Sequence, residues 1–363
     1  MDWHDLLITP ENFEAYVSRF SPPENVRDLA VRSFWEGKRV FITGISGFVG
    51  SHLTDKLLEY GAEVHGLVRR HSVATYPNLK DTIDRVSLIE GDLEDIDSLA
   101  SALDAAEPQV IFHLGAQSFV PTSFRVPLST YSSNIMGTAN LLEAVRKAAY
   151  PVEAVHIAGS SEEYGQVDAA NLPITEATPL RPMSPYALSK AATDLLGSLY
   201  HRVYGMPTVI TRGFNHSGSR RGLQFVTSVI ARQVARCLIK GGTTIAIGKK
   251  DSVRDFTHVA DMVQGYLLAV EKGKRGEPYN LGHGYGITIE NLAKVASAIY
   301  GVNPSIVIDS TRFRPAEVDI LICDYAKAKR DLGYAPRLSL KTSIQDAVEH
   351  FRANPELVDI ERH

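Results

Sequence analysis

Tyr186 and Lys190, in Ser184-Pro-Tyr186-Ala-Leu-Ser-Lys190, carry the clearest chemical signal in this chain. A tyrosine and a lysine four positions apart on a helix share one face. The ammonium then favours the phenolate and draws the tyrosine pKa from about 10 toward neutrality. Such a phenolate is a general base for a sugar or alcohol hydroxyl. The pair alone is common on amphipathic helices and gains meaning from a second element upstream. That element is Thr43-Gly44-Ile-Ser-Gly47-Phe-Val-Gly50, between the apolar strand Arg39–Thr43 and a helix expected to begin near Ser51. Glycines there let backbone N–H groups meet a pyrophosphate at the helix N-terminus, where the dipole favours negative charge. Together the two elements predict redox chemistry through a nicotinamide.

The glycine spacing is Gly-x-x-Gly-x-x-Gly, and it makes Gly44, Ser46, Gly47, Phe48, Val49 and Gly50 candidate cofactor contacts. The next strand runs to Val68 and ends in Arg69-Arg70. An NAD site places an acid near this point to accept the ribose 2′-hydroxyl, whereas arginine suits a 2′-phosphate. NADP is the expected cofactor. Asp92 and Leu93, after the third strand, are placed to meet the adenine edge. Leu114, Ala116, Gln117 and Ser118, after the fourth, are placed near phosphate and sugar.

The fifth strand ends in Ala158-Gly-Ser160-Ser-Glu162-Glu163-Tyr-Gly165, and ligands bind at the carboxyl ends of parallel strands. Ser160 can hydrogen-bond the substrate oxygen that Tyr186 deprotonates. Glu162 can remove an acidified proton beside a ketone and protonate a leaving hydroxyl. Glu163 points to the other side if strand geometry persists, and is the weaker candidate.

These side chains need a scaffold, and the chain's rhythm supplies one. Apolar strands at Val40–Thr43, Glu63–Val68, Val86–Glu90, Val110–Leu114, Ala154–Gly159 and Thr208–Thr211 alternate with helical stretches. That alternation predicts an α/β fold with a doubly wound parallel sheet of Rossmann type. Leu53, Leu57 and Leu58 mark the first helix, and Gly61 stops it. After Phe214 the rhythm breaks. Residues 37–214 with 251–285 read as the nucleotide-binding domain, with Arg254–Tyr266 returning to the main sheet. Residues 215–250 with 286–363 read as a smaller, mostly helical substrate lobe, and residues 1–36 as an extension docked on the core.

At 363 residues, 44% of them hydrophobic and 22% charged, the chain has ordinary globular composition. A net charge of −4 gives no reason to expect nucleic acid or an anionic membrane as partner. Cys237 and Cys323 form no disulfide framework or metal motif and are expected to be buried thiols; no metal is expected. No apolar run approaches the ~20 residues of a membrane helix, and no secretory pattern opens the chain, so a cytoplasmic location is expected.

From Lys38 to Arg352 the collinear motifs resemble the extended short-chain dehydrogenases/reductases of the nucleotide-sugar branch. They include the glycine turn, Arg69-Arg70, Leu114-Gly-Ala-Gln-Ser118, Ser160-Ser-Glu162, Tyr186/Lys190, Phe214-Asn-His216, Arg220-Arg-Gly222, Arg254-Asp-Phe and Arg314-Pro-Ala-Glu317-Val-Asp319. The nearest resemblance is to GDP-mannose 4,6-dehydratases, then to GDP-6-deoxy-4-ketohexose reductases. It implies Ser160, Glu162, Tyr186 and Lys190 as catalytic groups, and His216 and Arg221, with Lys190, at the cofactor. It also implies that Asn215, Arg254, Arg314 and Glu317, with Ser118, hold a nucleotide-diphosphate sugar. The activity implied is 4,6-dehydration of GDP-mannose or a GDP-heptose, in a homodimer or homotetramer formed through about Leu128–Ala149 and Pro185–Tyr204. Two positions depart from the dehydratase pattern: Phe225-Val-Thr-Ser-Val229 lacks its following lysine, and Ser129 replaces its tyrosine. A 4-ketoreductase, a 4-epimerase that would not need Glu162, and a non-catalytic NADP-binding regulator are the alternatives.

Overall fold

Val40, Phe41 and Ile42 are consecutive in the chain and all fully buried, which a strand achieves only with helices covering both faces of its sheet. The computed structural model describes residues 2–20, 22–25, 27–70 and 75–360. Seven strands form the main sheet. In spatial order they are Pro278–Leu281, Thr208–Gly213, Ala154–Ser160, Val110–His113, Arg39–Thr43, Glu63–Val68 and Ser87–Glu90, all parallel. Six of them lie within two residues of the strands expected from the sequence. The seventh, Pro278–Leu281, was not anticipated.

Side chains alternate between the two faces of each strand, so the sheet has two cores. Val40, Ile42, Val110 and Phe112 pack with Leu53 and Leu57 of the helix Phe48–Glu59 and with Met262 and Leu267 of the helix Val259–Lys272. Phe41, Ile111 and Val155 pack with Leu99 and Leu103 of Ile96–Ala106 and with Leu141 and Leu142 of Gly137–Lys147. Gly61 ends the first helix at φ +83°, the left-handed region that glycine enters without strain.

Val253–His258 does not return to the main sheet. It is the hub of a second sheet, pairing with Gly286–Thr288, Ile320–Leu321 and Asn215–Ser217, while Leu7–Ile8 pairs with Gly286–Thr288. Only the helix that follows it, Val259–Lys272, packs on the main sheet. Phe256 is the reason: its apolar anchor sits in the other core, among Ile230, Ile287 and Val348. The lobe expected to be mostly helical therefore carries sheet as well, including the pair Thr244–Ile247 and Ser305–Ile308. The N-terminal extension is tied to both cores. Phe13 and Tyr16 lie in the second core, and the backbone N–H groups of Leu29 and Ala30 donate to Gln264 in the first. Cys323 is buried as expected, but Cys237 is half-exposed near the end of the helix Val226–Lys240. Among the described residues no helix is long and apolar enough to cross a membrane, and no cluster of His, Cys, Asp or Glu could hold a metal.

Candidate active site

The turn after Arg39–Thr43 is built for close approach. Gly44 sits at φ +74°, and a Cβ there would lie 2.9 Å from the Gly115 nitrogen. A Cβ on Gly50 would lie 2.2 Å from the Gly44 carbonyl oxygen, so helix and turn meet only because both residues are glycine. The helix Phe48–Glu59 has no side-chain cap, and the N–H groups of its first turn lack intrahelical partners. Those N–H groups, beside Gly44 and Gly47 on one cleft, fit a pyrophosphate. Gly50→Ala is therefore expected to cost about 1–3 kcal/mol of stability by overpacking and to weaken dinucleotide binding; thermal unfolding and dinucleotide titration check both.

That cleft also gathers Leu114, Ala116, Ser118, Ser160, Glu162, Tyr186, Lys190, Asn215, His216, Arg221 and Arg314. Ser184 caps the helix Pro185–Tyr204, its hydroxyl accepting the Ala187 N–H at 3.0 Å, and so sets where Tyr186 points. Ser160 caps the short turn Ser161–Tyr164, its hydroxyl oxygen accepting the Glu162 N–H at 3.2 Å. The Ser160 hydroxyl also stands beside the Tyr186 phenol and pulls its pKa down.

The electrostatics differ from the sequence expectation. Burial pushes the Tyr186 phenol well above its ordinary range, Ser160 and Arg221 pull it back, and Glu162 and Glu163 raise it further. The Lys190 ammonium donates to the Ala158 carbonyl at 2.7 Å, and burial draws its own pKa down to about 8. Arg221 is stacked between Phe48 and Phe225, 5.1 and 4.3 Å from the ring centres, and its Nε has no hydrogen-bond partner. His216 stacks on Phe48 and is held neutral, its pKa drawn to about 3 by burial and Arg221.

Other expected residues lie outside the cleft. Gln117 turns inward, donating to Thr130 and accepting the Phe119 N–H, because its loop needs both bonds to close. Arg254 is buried with its guanidinium on the carbonyls of Val253, Val318 and Asp319; it holds the Arg314–Asp319 segment rather than the cleft. Glu317 sits between Arg254 and Arg314, at 3.9 and 4.0 Å. Arg314 reaches Glu162 at 3.6 Å. Arg69, Arg70 and Asp92 are exposed beyond the ends of their strands, and Leu93 packs against Gly115 and Gly137. Ser46 is not on the cleft wall; its carbonyl accepts from Asn78.

A dinucleotide cradle beside a Ser/Tyr/Lys set narrows the possibilities to one superfamily, and comparison with known proteins narrows them further. Residues 41–347 match the family described as GDP-mannose 4,6 dehydratase. The chain belongs to that family. GDP-mannose 4,6 dehydratase 1 of Arabidopsis thaliana is 34% identical over 86% of this chain and 89% of its own length. GDP-6-deoxy-D-mannose reductase of Pseudomonas aeruginosa is 33% identical over 85% of this chain and 95% of its own. Among solved structures, RMD from Pseudomonas aeruginosa complexed with NADPH superposes with a TM-score of 0.75 at 30% identity, covering 87% of this chain and 99% of that one. The dTDP-glucose 4,6-dehydratase DesIV from Streptomyces venezuelae, with NAD and TYD bound, gives 0.77 at 29%, covering 88% and 98%.

In this GDP-mannose 4,6 dehydratase family member several cleft-building residues carry no motif. Asn134 lies in a π-helical turn, Ser132–Met136, where its side chain accepts the Gln117 N–H at 2.8 Å and donates to Ser189 at 2.8 Å. Ser189 in turn donates to the Tyr186 carbonyl at 2.7 Å. π-Turns recur at functional sites. Gln224, also on the cleft, gave no signal, and Phe225 stood out only through the lysine missing after it.

Proposed function

We propose that this protein is an NADP-dependent 4,6-dehydratase acting on GDP-mannose or a GDP-heptose. The observation that carries the reading is the convergence of Ser160, Glu162, Tyr186 and Lys190 on one cleft with the dinucleotide cradle. A nicotinamide dinucleotide held by Gly44, Gly47 and the first turn of the helix Phe48–Glu59 would supply a hydride acceptor and donor for the sugar and, in its oxidised form, a positive charge. Tyr186 takes the O4 proton while Ser160 donates a hydrogen bond to that oxygen. Once C4 is a ketone the C5 proton is acidic, and Glu162 removes it and protonates the departing C6 hydroxyl. Arg314, already beside Glu162, would pair with the diphosphate. Asn215 offers a buried side-chain oxygen without a partner for a substrate donor.

The test is mass spectrometry of GDP-mannose and a GDP-heptose incubated with enzyme and no added reduced cofactor. Loss of one water's mass supports dehydration, whereas product that appears only with stoichiometric NADPH supports a 4-ketoreductase. The reductase is the second reading, and the similarity to the Pseudomonas aeruginosa reductase favours it specifically.

NADP is preferred over NAD because Arg69 and Arg70 end the second strand where an NAD site wants an acid. Changing both to Ala should weaken NADP by about tenfold or more, the worth of a charge-assisted hydrogen bond, while NAD affinity stays nearly constant in dinucleotide titrations. An equal loss for both cofactors removes the 2′-phosphate contact. Pairing of subunits fits an apolar stripe on the helix Pro185–Tyr204, where Leu188, Leu195, Leu199 and Val203 are 41–59% exposed. Leu128 and Met136 extend it. A homodimer or homotetramer would cover these side chains.

A further inference from the structure

Arg220 stands in a backbone conformation that an arginine seldom adopts. Its φ is +64°, and among the described residues the only other non-glycine at positive φ is Glu107. Glu107 ends the helix Ile96–Ala106, where a left-handed residue is routine. Arg220 ends no helix; it lies in the loop between the strand Asn215–Ser217 and the helix Val226–Lys240. Such a conformation persists only where the surroundings over-determine it, and here they do. Arg220 Nη1 pairs with Asp55 Oδ2 at 2.7 Å, on the helix Phe48–Glu59 that opens the dinucleotide cradle. On that same helix His52 Nε2 donates to the Ser219 carbonyl at 3.1 Å. From the other side, the Ser219 N–H donates to Asp346 Oδ2 at 2.8 Å, on the helix Leu340–Ala353. Gly218 admits that carboxylate, since a Cβ there would lie 2.9 Å from the same oxygen.

The loop pinned in this way delivers Arg221 to the cleft. Ser228 Oγ donates to the Arg221 carbonyl at 3.3 Å, so the backbone is also held on the far side. The Arg221 guanidinium lies between the rings of Phe48 and Phe225. Phe48 is the first residue of the helix whose free N–H groups make the pyrophosphate seat. Arg221 Nε is buried without a hydrogen-bond partner. A buried polar nitrogen is costly to leave unpaired, and a phosphate oxygen is a partner whose geometry suits a guanidinium. Two ring faces hold the guanidinium plane but do not stop it sliding out with its loop. Attachment of the loop to the cradle helix opposes that motion, and Asp55 and His52 supply the attachment.

We propose that Arg220 is a positioning residue: its ion pair with Asp55 latches the Gly218–Gly222 loop to the cradle helix, keeps Arg221 over the pyrophosphate seat and so slows release of the dinucleotide. The proposal rests on the cofactor reading given above. Opening the loop would carry Arg221 away from Phe48 and uncover one side of the seat, and the latch makes that opening cost an ion pair. Arg221 lines the cleft, whereas Asp55 and Arg220 stand outside its wall, so the pair acts through Arg221. A dehydratase returns its hydride within each turnover and has no need to exchange dinucleotide, so slow release suits the reaction proposed here. A ketoreductase must let its oxidised cofactor go after every turnover, and the same latch would hold it back.

The test is stopped-flow displacement of NADPH, and of NADH in parallel, followed by fluorescence with excess oxidised dinucleotide as trap and no sugar present. Asp55→Asn and Arg220→Gly should each speed release about twofold to fivefold, the range that a part-exposed ion pair supports. The factor should be the same for both dinucleotides, because they share the pyrophosphate. Arg220→Gly relieves the left-handed backbone while it removes the pair, so its thermal midpoint should match or exceed that of the wild type. Faster release without a lower midpoint separates a latch from general loosening; faster release only in step with a lower midpoint overturns the proposal. Arg220→Gly added to Arg221→Met should change nothing further, and an undiminished effect on that background overturns it as well. Should Arg220→Gly not fold, Asp55→Asn decides by the same displacement. A wild type that binds neither dinucleotide refutes cradle and latch together, whereas binding with unaltered release in the variants refutes the latch alone.

Discussion

Tyr186→Phe should abolish turnover while leaving nucleotide-sugar affinity nearly intact. The substitution removes one oxygen and keeps the ring, so the cleft wall holds its shape. The phenol lines the cleft beside Ser160, Glu162 and Arg221, and it is the group here placed to take a proton from a substrate hydroxyl. Ser160 cannot replace it, because a neutral hydroxyl is a poor base. A positioned base contributes about 10²–10⁴-fold, and loss of the only one at O4 should lie at the upper end of that range. Product formation followed by mass spectrometry, with calorimetric titration of the nucleotide sugar, checks both halves of the expectation. Near-normal turnover in the variant would remove Tyr186 from the chemistry.

The same tyrosine shows what a sequence can and cannot convey. Its pairing with Lys190 and the glycine turn was legible because both are local: one is a helical spacing, the other a strand–turn–helix pattern. The parallel strands were legible for the same reason, since each is a short apolar run between turn signals. The sign of the Tyr186 shift was not legible. It depends first on burial, and on Ser160, Glu162 and Arg221, groups that the fold brings together from segments far apart in the chain. Val253–His258 was misplaced on similar grounds. Phe256 could anchor in either core by its type alone, and the partners Gly286–Thr288 and Asn215–Ser217, distant in the chain, go with the core it enters. Arg254 and Gln117 look like ligand-binding groups by type, yet both satisfy backbone groups that the sequence leaves unspecified. Asn134 escaped notice because a π-turn has no residue signature, although that turn links the loop after the fourth strand to the helix carrying Tyr186 and Lys190.

Glu162→Gln separates dehydration from reduction. The amide keeps the size of the side chain and can still hydrogen-bond, but it cannot accept the C5 proton. Glu162 stands on the cleft wall, 14% exposed, with Arg314 at 3.6 Å, so the charge lost is one that faces the substrate rather than the core. Oxidation at C4 needs Tyr186, Ser160 and the cofactor; the substitution leaves these groups in place and removes one charge that raises the Tyr186 phenol. In a dehydratase the first step should therefore proceed and the next should stall. Reduced cofactor would accumulate on the enzyme and absorb in the near ultraviolet, while 4-keto-6-deoxy product appears about 10²–10⁴-fold more slowly. Stopped-flow absorbance with parallel mass spectrometry distinguishes the two steps. A wild-type rate of product formation would reduce Glu162 to a partner for Arg314 and leave the 4-ketoreductase as the better assignment, since reduction at C4 calls on Ser160, Tyr186 and Lys190 alone.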